Sequence, residues 1–329
     1  MQTVLKPRKT LPVIVFSLLA MLVTALPMTG NAQDPTLDVT LLGTGDPVPR
    51  VDRFGPSILV EAGPYRLLFD AGRGASQRLT QLDISLGDID AVFITHFHSD
   101  HLSGLPDIWL TGWLPPPFGR RDQPLRVIGP EGLSRILDGL RQAFDPDIQI
   151  RLVDEQLPLQ GIEFDVSEYS ADGVVFDEEG VTVTAFAVDH GQYIKPSYGY
   201  RVDYAGRSVV MSGDTRFDEN LIEAAQGTDV VIHEVAAARE EMLAFDERIQ
   251  LILDHHTTPE EAGIVFDRVG PKLALYSHLT LLSSPDSPEV TLEELIQRTR
   301  ANYAGRLLVG EDLMRLEIGE SVRVYRFPY

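Results

Sequence analysis

Two rhythms of hydrophobic positions run along the chain. Short alternating or continuous apolar runs predict strands over Leu37–Leu42, Ser57–Val60, Arg66–Phe69, Ala91–Thr95 and Leu125–Ile128. The same signal returns over Val181–Val188, Tyr198–Tyr204, Ser208–Ser212, Asp229–Ile232 and Leu273–Ser277, with Ala205-Gly206 as a hairpin turn between two of them. Helical spacing predicts helices over Ala75–Leu82, Leu133–Phe144, Pro259–Val269 and Leu292–Asn302. Pro259 suits the first turn of its helix, where a missing N–H costs nothing. Strand and helix signals interleave, which predicts an α/β architecture.

The strands share a further property: many end on a histidine or an acid. Ala91–Thr95 runs into His96, Val181–Val188 into Asp189-His190 and Ser208–Ser212 into Gly213-Asp214. Asp229–Ile232 delivers His233-Glu234, and Leu273–Ser277 delivers His278. The carboxyl ends of strands are where α/β sheets build their sites. His256 stands just before Thr257-Thr258-Pro259 at a helix start.

One segment concentrates this chemistry. His96, His98, Asp100 and His101 fall within six residues, in a chain with eight histidines in all. Imidazole and carboxylate are the ligands zinc takes where cysteine is lacking, and this chain has no cysteine. Thiolate ligation and cysteine nucleophiles are thereby excluded. A loop after a strand can turn alternate side chains to a common point, so His96 and His98 can share one metal and Asp100 and His101 a second. Four such groups crowded together are costly to bury without a cation.

Composition adds three constraints. Hydrophobic residues at 43% and charged residues at 23% suit a globular chain. The formal net charge of −21 repels polyanions on average, so a small-molecule substrate is expected and a nucleic-acid partner is disfavoured. The amino terminus has the form of a secretory leader: Lys6, Arg8 and Lys9, then the apolar run Leu11–Leu26, then small residues up to Ala32. Residues 1–32 are therefore expected to be a signal peptide and 33–329 one hydrolase domain, periplasmic or secreted, with no membrane attachment once mature. Pro115–Pro117, with Trp109, Trp113 and Phe118 nearby, can form one wall of a substrate pocket.

The segment from His96 to His101 resembles the H-x-H-x-D-H signature of the metallo-β-lactamase superfamily. The finer pattern resembles the branch holding ribonuclease Z, arylsulfatase-like enzymes and class II cyclic-nucleotide phosphodiesterases. It consists of Leu42-Gly43-Thr44-Gly45, Tyr198-Gly199-Tyr200-Arg201, Ser212-Gly213-Asp214-Thr215-Arg216, His233-Glu234 and His256-Thr257-Thr258. Leu105–Trp113 is similar to the arylsulfatase-like members in particular. The resemblance implies a four-layer αββα sandwich, two mixed sheets flanked by helices, and two zinc ions per chain, with manganese or iron as substitutes. It implies His96, His98 and His190 on one metal, Asp100, His101 and His278 on the other, and Asp214 between them. It implies His256 as proton donor or transition-state stabiliser, oriented by Glu234, with Asp100 also at the catalytic centre. Oligomers are common on this fold, so a homo-oligomer is an open expectation. Ribonuclease Z carries a long basic arm that grips tRNA, and no such segment occurs here. Together with the acidic charge and the leader, this directs the expectation to an exported hydrolase of small phosphate or sulfate esters, in which a metal-activated hydroxide attacks. A lactonase or β-lactamase-like hydrolase and a ribonuclease Z-like nuclease are the alternatives.

Overall fold

The computed structural model describes residue 2, residues 35–243 and residues 247–328. The chain divides into the units Met1–Asp34 and Pro35–Tyr329. The expected signal peptide lies outside the described residues, apart from residue 2. No helix among the described residues is long and apolar enough to cross a membrane.

Among the described residues, fifteen strands form two sheets. The first contains β1 (Leu37–Gly43), β2 (Ser57–Ala62), β3 (Tyr65–Phe69), β4 (Ala91–Phe93), β5 (Leu125–Pro130) and β6 (Phe164–Tyr169). The second contains β7 (Gly173–Glu178), β8 (Val181–Ala187), β9 (Tyr198–Tyr204), β10 (Arg207–Met211), β11 (Val230–Ala237), β12 (Leu273–Leu281) and β13 (Leu307–Val309). The chain then returns to the first sheet with β14 (Arg315–Ile318) and β15 (Val322–Tyr325), giving the orders 15-14-1-2-3-4-5-6 and 13-12-11-10-9-8-7. The helices are α1 (Ala75–Gln81), α2 (Ser99–Leu102), α3 (Leu105–Trp113), α4 (Leu133–Asp154), α5 (Glu219–Ala224), α6 (Glu240–Leu243), α7 (Glu247–Leu253), α8 (Pro259–Val269) and α9 (Leu292–Thr299).

Strand periodicity makes the layers. Successive side chains on a strand point to opposite faces. Leu67 and Phe69 of β3, Val209 and Met211 of β10, and Leu273 and Leu275 of β12 meet in one core between the sheets. Their neighbours turn outward. Leu68 joins Leu79, Ile108, Trp109 and Leu137 under α1, α3 and α4. Val210, Val231 and Ala274 join Leu221, Val265, Phe266 and Leu295 under α5, α8 and α9. Both sheets are thus apolar on two faces and covered by helices, the αββα sandwich that the family resemblance implies.

Some elements depart from the sequence reading. Helix α4 was expected to end at Phe144 but continues past Pro146 to Asp154. A proline inside a helix removes one hydrogen bond. Here Ile148 is buried, and Arg151 pairs with Asp147 and Glu155 at helical spacing. Tertiary packing and local ion pairs outweigh the break. Strands β6, β7 and β13 to β15 carry no prediction: β6 and β7 are sheet-edge strands with little burial, and β13 to β15 are only three or four residues long. Trp109 and Trp113 are fully buried under the first sheet, with indole N–H groups donating to the carbonyls of Ile162 and Pro158. They are core residues, and the proposed pocket wall is not formed by them.

Candidate metal centre

The centre lies where the carboxyl ends of strands from both sheets meet. Strand β4 ends at Phe93, and the chain continues through Ile94 and Thr95 to His96 and His98 before α2 begins at Ser99. Two residues of that first turn, Asp100 and His101, point inward and are buried. Beyond β8, Val188-Asp189 leads to the buried His190. Beyond β10, Ser212-Gly213 leads to Asp214. Gly213 adopts φ +60, and a Cβ there would sit 2.5 Å from the carbonyl oxygen of Tyr198. Only glycine fits that turn without strain.

His278 arrives differently. Strands β11 and β12 run parallel and in register up to His233 opposite Tyr276, then resume at Val235 opposite Leu279. Ser277 and His278 therefore face the single Glu234, as in a β-bulge. His278 holds φ +45, a left-handed conformation that a histidine adopts only under constraint. The bulge swings its ring out of the sheet alternation toward the centre.

Four imidazole Nε2 atoms converge on one carboxylate oxygen. Asp214 Oδ2 lies 3.2 Å from His278, 3.3 Å from His101, 3.6 Å from His190 and 3.8 Å from His96. Asp100 Oδ2 lies 3.3 Å from His278 and 3.4 Å from His101. One ligating atom each from His96, His98, His190 and Asp214 falls within a 4.8 Å sphere of mutual distances, and so do those of Asp100, His101 and His278. His98 is exposed and His256 partly so, and these two mark the open side.

The nitrogens on the far side of each ring are engaged. His101 Nδ1 is 2.7 Å from Asp70 Oδ2, His190 Nδ1 donates to the His255 carbonyl at 2.8 Å, and His96 Nδ1 is 2.9 Å from Thr95 Oγ1. His278 Nδ1 is 3.3 Å from Thr280 Oγ1. Such contacts fix the ring so that Nε2 faces inward, the arrangement typical of metal-binding histidines. His96 and His101 Nε2 are nonetheless buried without any hydrogen-bond partner, since the approach of His101 to Asp214 lacks hydrogen-bond geometry. Orphaned inward nitrogens around a shared carboxylate fit a metal site.

Electrostatics agree. Burial alone pushes the Asp214 carboxyl upward, yet the imidazoles of His278, His101 and His96 hold it well below its usual range. Burial disfavours a charged His278, but Asp214 and the bond to Asp100 raise its pKa to about 9. Burial dominates at His190 and drops it to about 4. The carboxylates thus demand positive charge in the space between them.

Beside the centre, Glu234 is buried and accepts from the Thr257 N–H at 2.9 Å, and its other oxygen is 3.2 Å from His256 Nδ1. Burial opposes protonation of His256, but the Glu234 carboxylate outweighs it and raises the pKa. Thr258 caps α8 in a reciprocal pair with Glu261, which fixes the turn carrying His256. A cleft of about 810 Å³ opens from His256, with Arg216, Arg239, Arg298 and a row of acidic residues in its walls.

Asp70 was missed from the sequence. It follows β3 at φ +55, accepts from the Thr95 N–H at 2.9 Å and grips His101. The signal existed, since Asp70 is another acid at a strand end. His255, adjacent to His256, contributes through its carbonyl.

Residues 65–279 match the beta-lactamase superfamily domain. The Ribonuclease Z of Mycobacterium bovis (strain BCG / Pasteur 1173P2) is 34% identical over 282 residues, covering 86% of this chain and 98% of the relative. That of Mycobacterium marinum (strain ATCC BAA-535 / M) is 33% identical over 286 residues, covering 86% and 99%. Among solved structures, the metallo-beta-lactamase fold protein YhfI from Bacillus subtilis superposes with TM-score 0.66 at 17% identity, covering 86% of this chain and 99% of that one. Human tRNase Z, short form, gives 0.63 at 23% identity, with the same coverage. The relatives named Ribonuclease Z correct two expectations. The exported hydrolase of small phosphate or sulfate esters gives way to the nuclease alternative, and nucleic acid can no longer be treated as a disfavoured partner. The physical reason is that net charge is an average over the whole surface, whereas a polyanion is held by a few local cations.

Proposed function

The chain belongs to the metallo-β-lactamase superfamily, in the branch that holds ribonuclease Z, and we propose that it is a ribonuclease Z-like nuclease hydrolysing a phosphodiester bond of RNA. Membership makes it a metal-dependent hydrolase of ester bonds. The observation that carries the finer reading is the convergence of four imidazole nitrogens on Asp214 beside a His256–Glu234 pair at the head of an open cleft.

We assign His96, His98 and His190 to one divalent cation and Asp100, His101 and His278 to a second, with Asp214 shared. Ligands of this N and O type suit two zinc ions, with manganese or iron as substitutes. Bound there, the ions supply Lewis-acid charge that makes water nucleophilic near neutral pH and offsets charge growing on phosphate oxygens. The chain's own residues do the rest. Asp214 and Asp100 fix the spacing of the two ligand sets. Glu234 accepts a hydrogen bond from His256 Nδ1–H, which leaves Nε2 to carry the transferable proton. Water oxygen bonds to phosphorus and yields a proton to solvent, the bond from phosphorus to the ribose oxygen breaks, and His256 hands that oxygen a proton, which solvent then restores to the ring. A ribose hydroxyl is a poor leaving group, which is why a dedicated acid is needed.

Metal analysis combined with cleavage of a 3′-extended transfer RNA precursor, with and without chelator, tests this. About two metals per chain and chelator-sensitive RNA cleavage support the reading. Turnover of p-nitrophenyl sulfate or a lactone with no RNA cleavage sinks it. We also propose that residues 1–32 are a cleaved leader, which predicts a mature protein starting at Gln33 by mass spectrometry.

A further inference from the structure

A chain of net charge −21 must hold RNA with few cations, and the structure restricts where they are. Three arginines line the cleft beside His256. Arg239 is forked onto Glu294, with both contacts at 2.9 Å, and Arg298 onto Glu260 at 2.7 and 2.9 Å. Those two are neutralised by bidentate partners. Arg216 is not. Its Nη2 donates to Asp189 at 3.0 Å, while Nε lies out of solvent with no partner. An unpaired buried donor is unfavourable, and rotation of the head group onto an anion would relieve it.

Asp189 links Arg216 to a second feature. Its carboxylate also accepts from the Gly191 N–H at 2.9 Å, at the start of the loop 191–197 that follows His190. The loop lies against the His256 segment: a Cβ at Gly191 would come within 2.8 Å of the His255 ring. On this loop Tyr193 is 88% exposed. Lys195 is exposed too, and its charge acts on Asp189. The described residues hold one other lysine, Lys272, which pairs with Asp229 at 2.7 Å. An uncovered aromatic, a lysine and a half-committed arginine therefore flank one side of the centre.

We propose that this edge, formed by Tyr193, Lys195 and Arg216, grips a single strand of RNA next to the scissile bond. Tyr193 stacks on a base, and Lys195 and Arg216 take the neighbouring phosphate. Base stacking on an aromatic tolerates any sequence, and one or two cations suffice to place a backbone. The proposal rests on the nuclease reading above and adds the surface that recognises the polymer.

The test compares an unstructured RNA of about ten nucleotides with bis-p-nitrophenyl phosphate, which offers a diester but neither a stacked nucleobase nor a second phosphate. Tyr193→Ala is expected to raise KM for RNA by about 5- to 150-fold, the range set by loss of one stacked base. That loss should exceed any change on the small diester at least tenfold. Tyr193→Phe keeps the ring and should retain RNA binding. Lys195→Ala and Arg216→Ala should each weaken RNA and lower the slope of log KM against log salt by about one. RNA cleavage with KM unmoved in Tyr193→Ala and Lys195→Ala overturns this proposal alone. So does an equal loss on both substrates. A wild-type enzyme that hydrolyses the small diester but not RNA overturns the nuclease reading and this surface with it.

Discussion

The two sheets contribute to the centre in contrasting ways. The first sheet supplies His96, His98, Asp100 and His101 from one loop and the first turn of α2. The second supplies His190, Asp214 and His278 from the ends of three strands, one of them bent by a bulge. The first arm is set by local chain geometry. The second exists only when β8, β10 and β12 are in register. The arms also differ in how their rings are held. Asp70, a carboxylate, grips His101 at 2.7 Å, whereas His190 leans on a main-chain carbonyl and His278 on the hydroxyl of Thr280 at 3.3 Å. Charge-assisted bonds are the stronger kind. The local arm is thus preorganised by its own side chains, and the dispersed arm by the sheet beneath it.

The largest effect should come from the residue that joins the arms. Asp214→Ala removes the carboxylate that four imidazoles approach, so both ligand sets lose a member. RNA cleavage should fall by about 10³-fold or more, at the upper end for one charge-stabilising group, and metal content should drop with it. Full metal occupancy in this variant would show that the arms bind independently. Next is His256→Ala, which removes a residue that belongs to neither ligand set as assigned. A general acid contributes roughly 10²–10⁴-fold, so kcat should fall by that order while metal content, measured by atomic absorption, stays at the wild-type value. Loss of metal here would move His256 into the ligand set, next to Asp214 and His278.

The same contrast explains what was legible in the sequence. His96, His98, Asp100 and His101 stand together because the local arm is one loop, so their chemistry can be read from spacing. His190, Asp214 and His278 look like lone residues, and only their shared place after strands, together with the family pattern, joined them. Asp70 escaped because its role depends on the parallel pairing of β3 with β4, which brings the two strand ends side by side. Strands such as Arg66–Phe69 and the α/β class were legible in the hydrophobic pattern, while the sandwich itself came from the family resemblance. The run of α4 through Pro146 was not legible, since packing of Ile148 decided it. Substrate class was the least legible feature. Composition reports the average charge, and Arg216 and Lys195 matter by position.

Two smaller perturbations measure how each arm is held. Asp70→Asn keeps the shape but removes the charge that orients His101. Losing a group that orients a metal-binding ring costs about 10- to 100-fold in metal affinity, readable by competition with a chromophoric chelator. Thr280→Val removes the hydroxyl near His278 Nδ1 and leaves the branched shape that suits β12. One neutral hydrogen bond contributes about 1 kcal/mol, so affinity should fall only about fivefold. The inequality is the point of the pair. If Thr280→Val costs as much as Asp70→Asn, then the left-handed His278 depends on its hydroxyl partner rather than on the bulge between Tyr276 and Leu279. The second arm would then be held by side chains as the first is, and the contrast between the arms would fail.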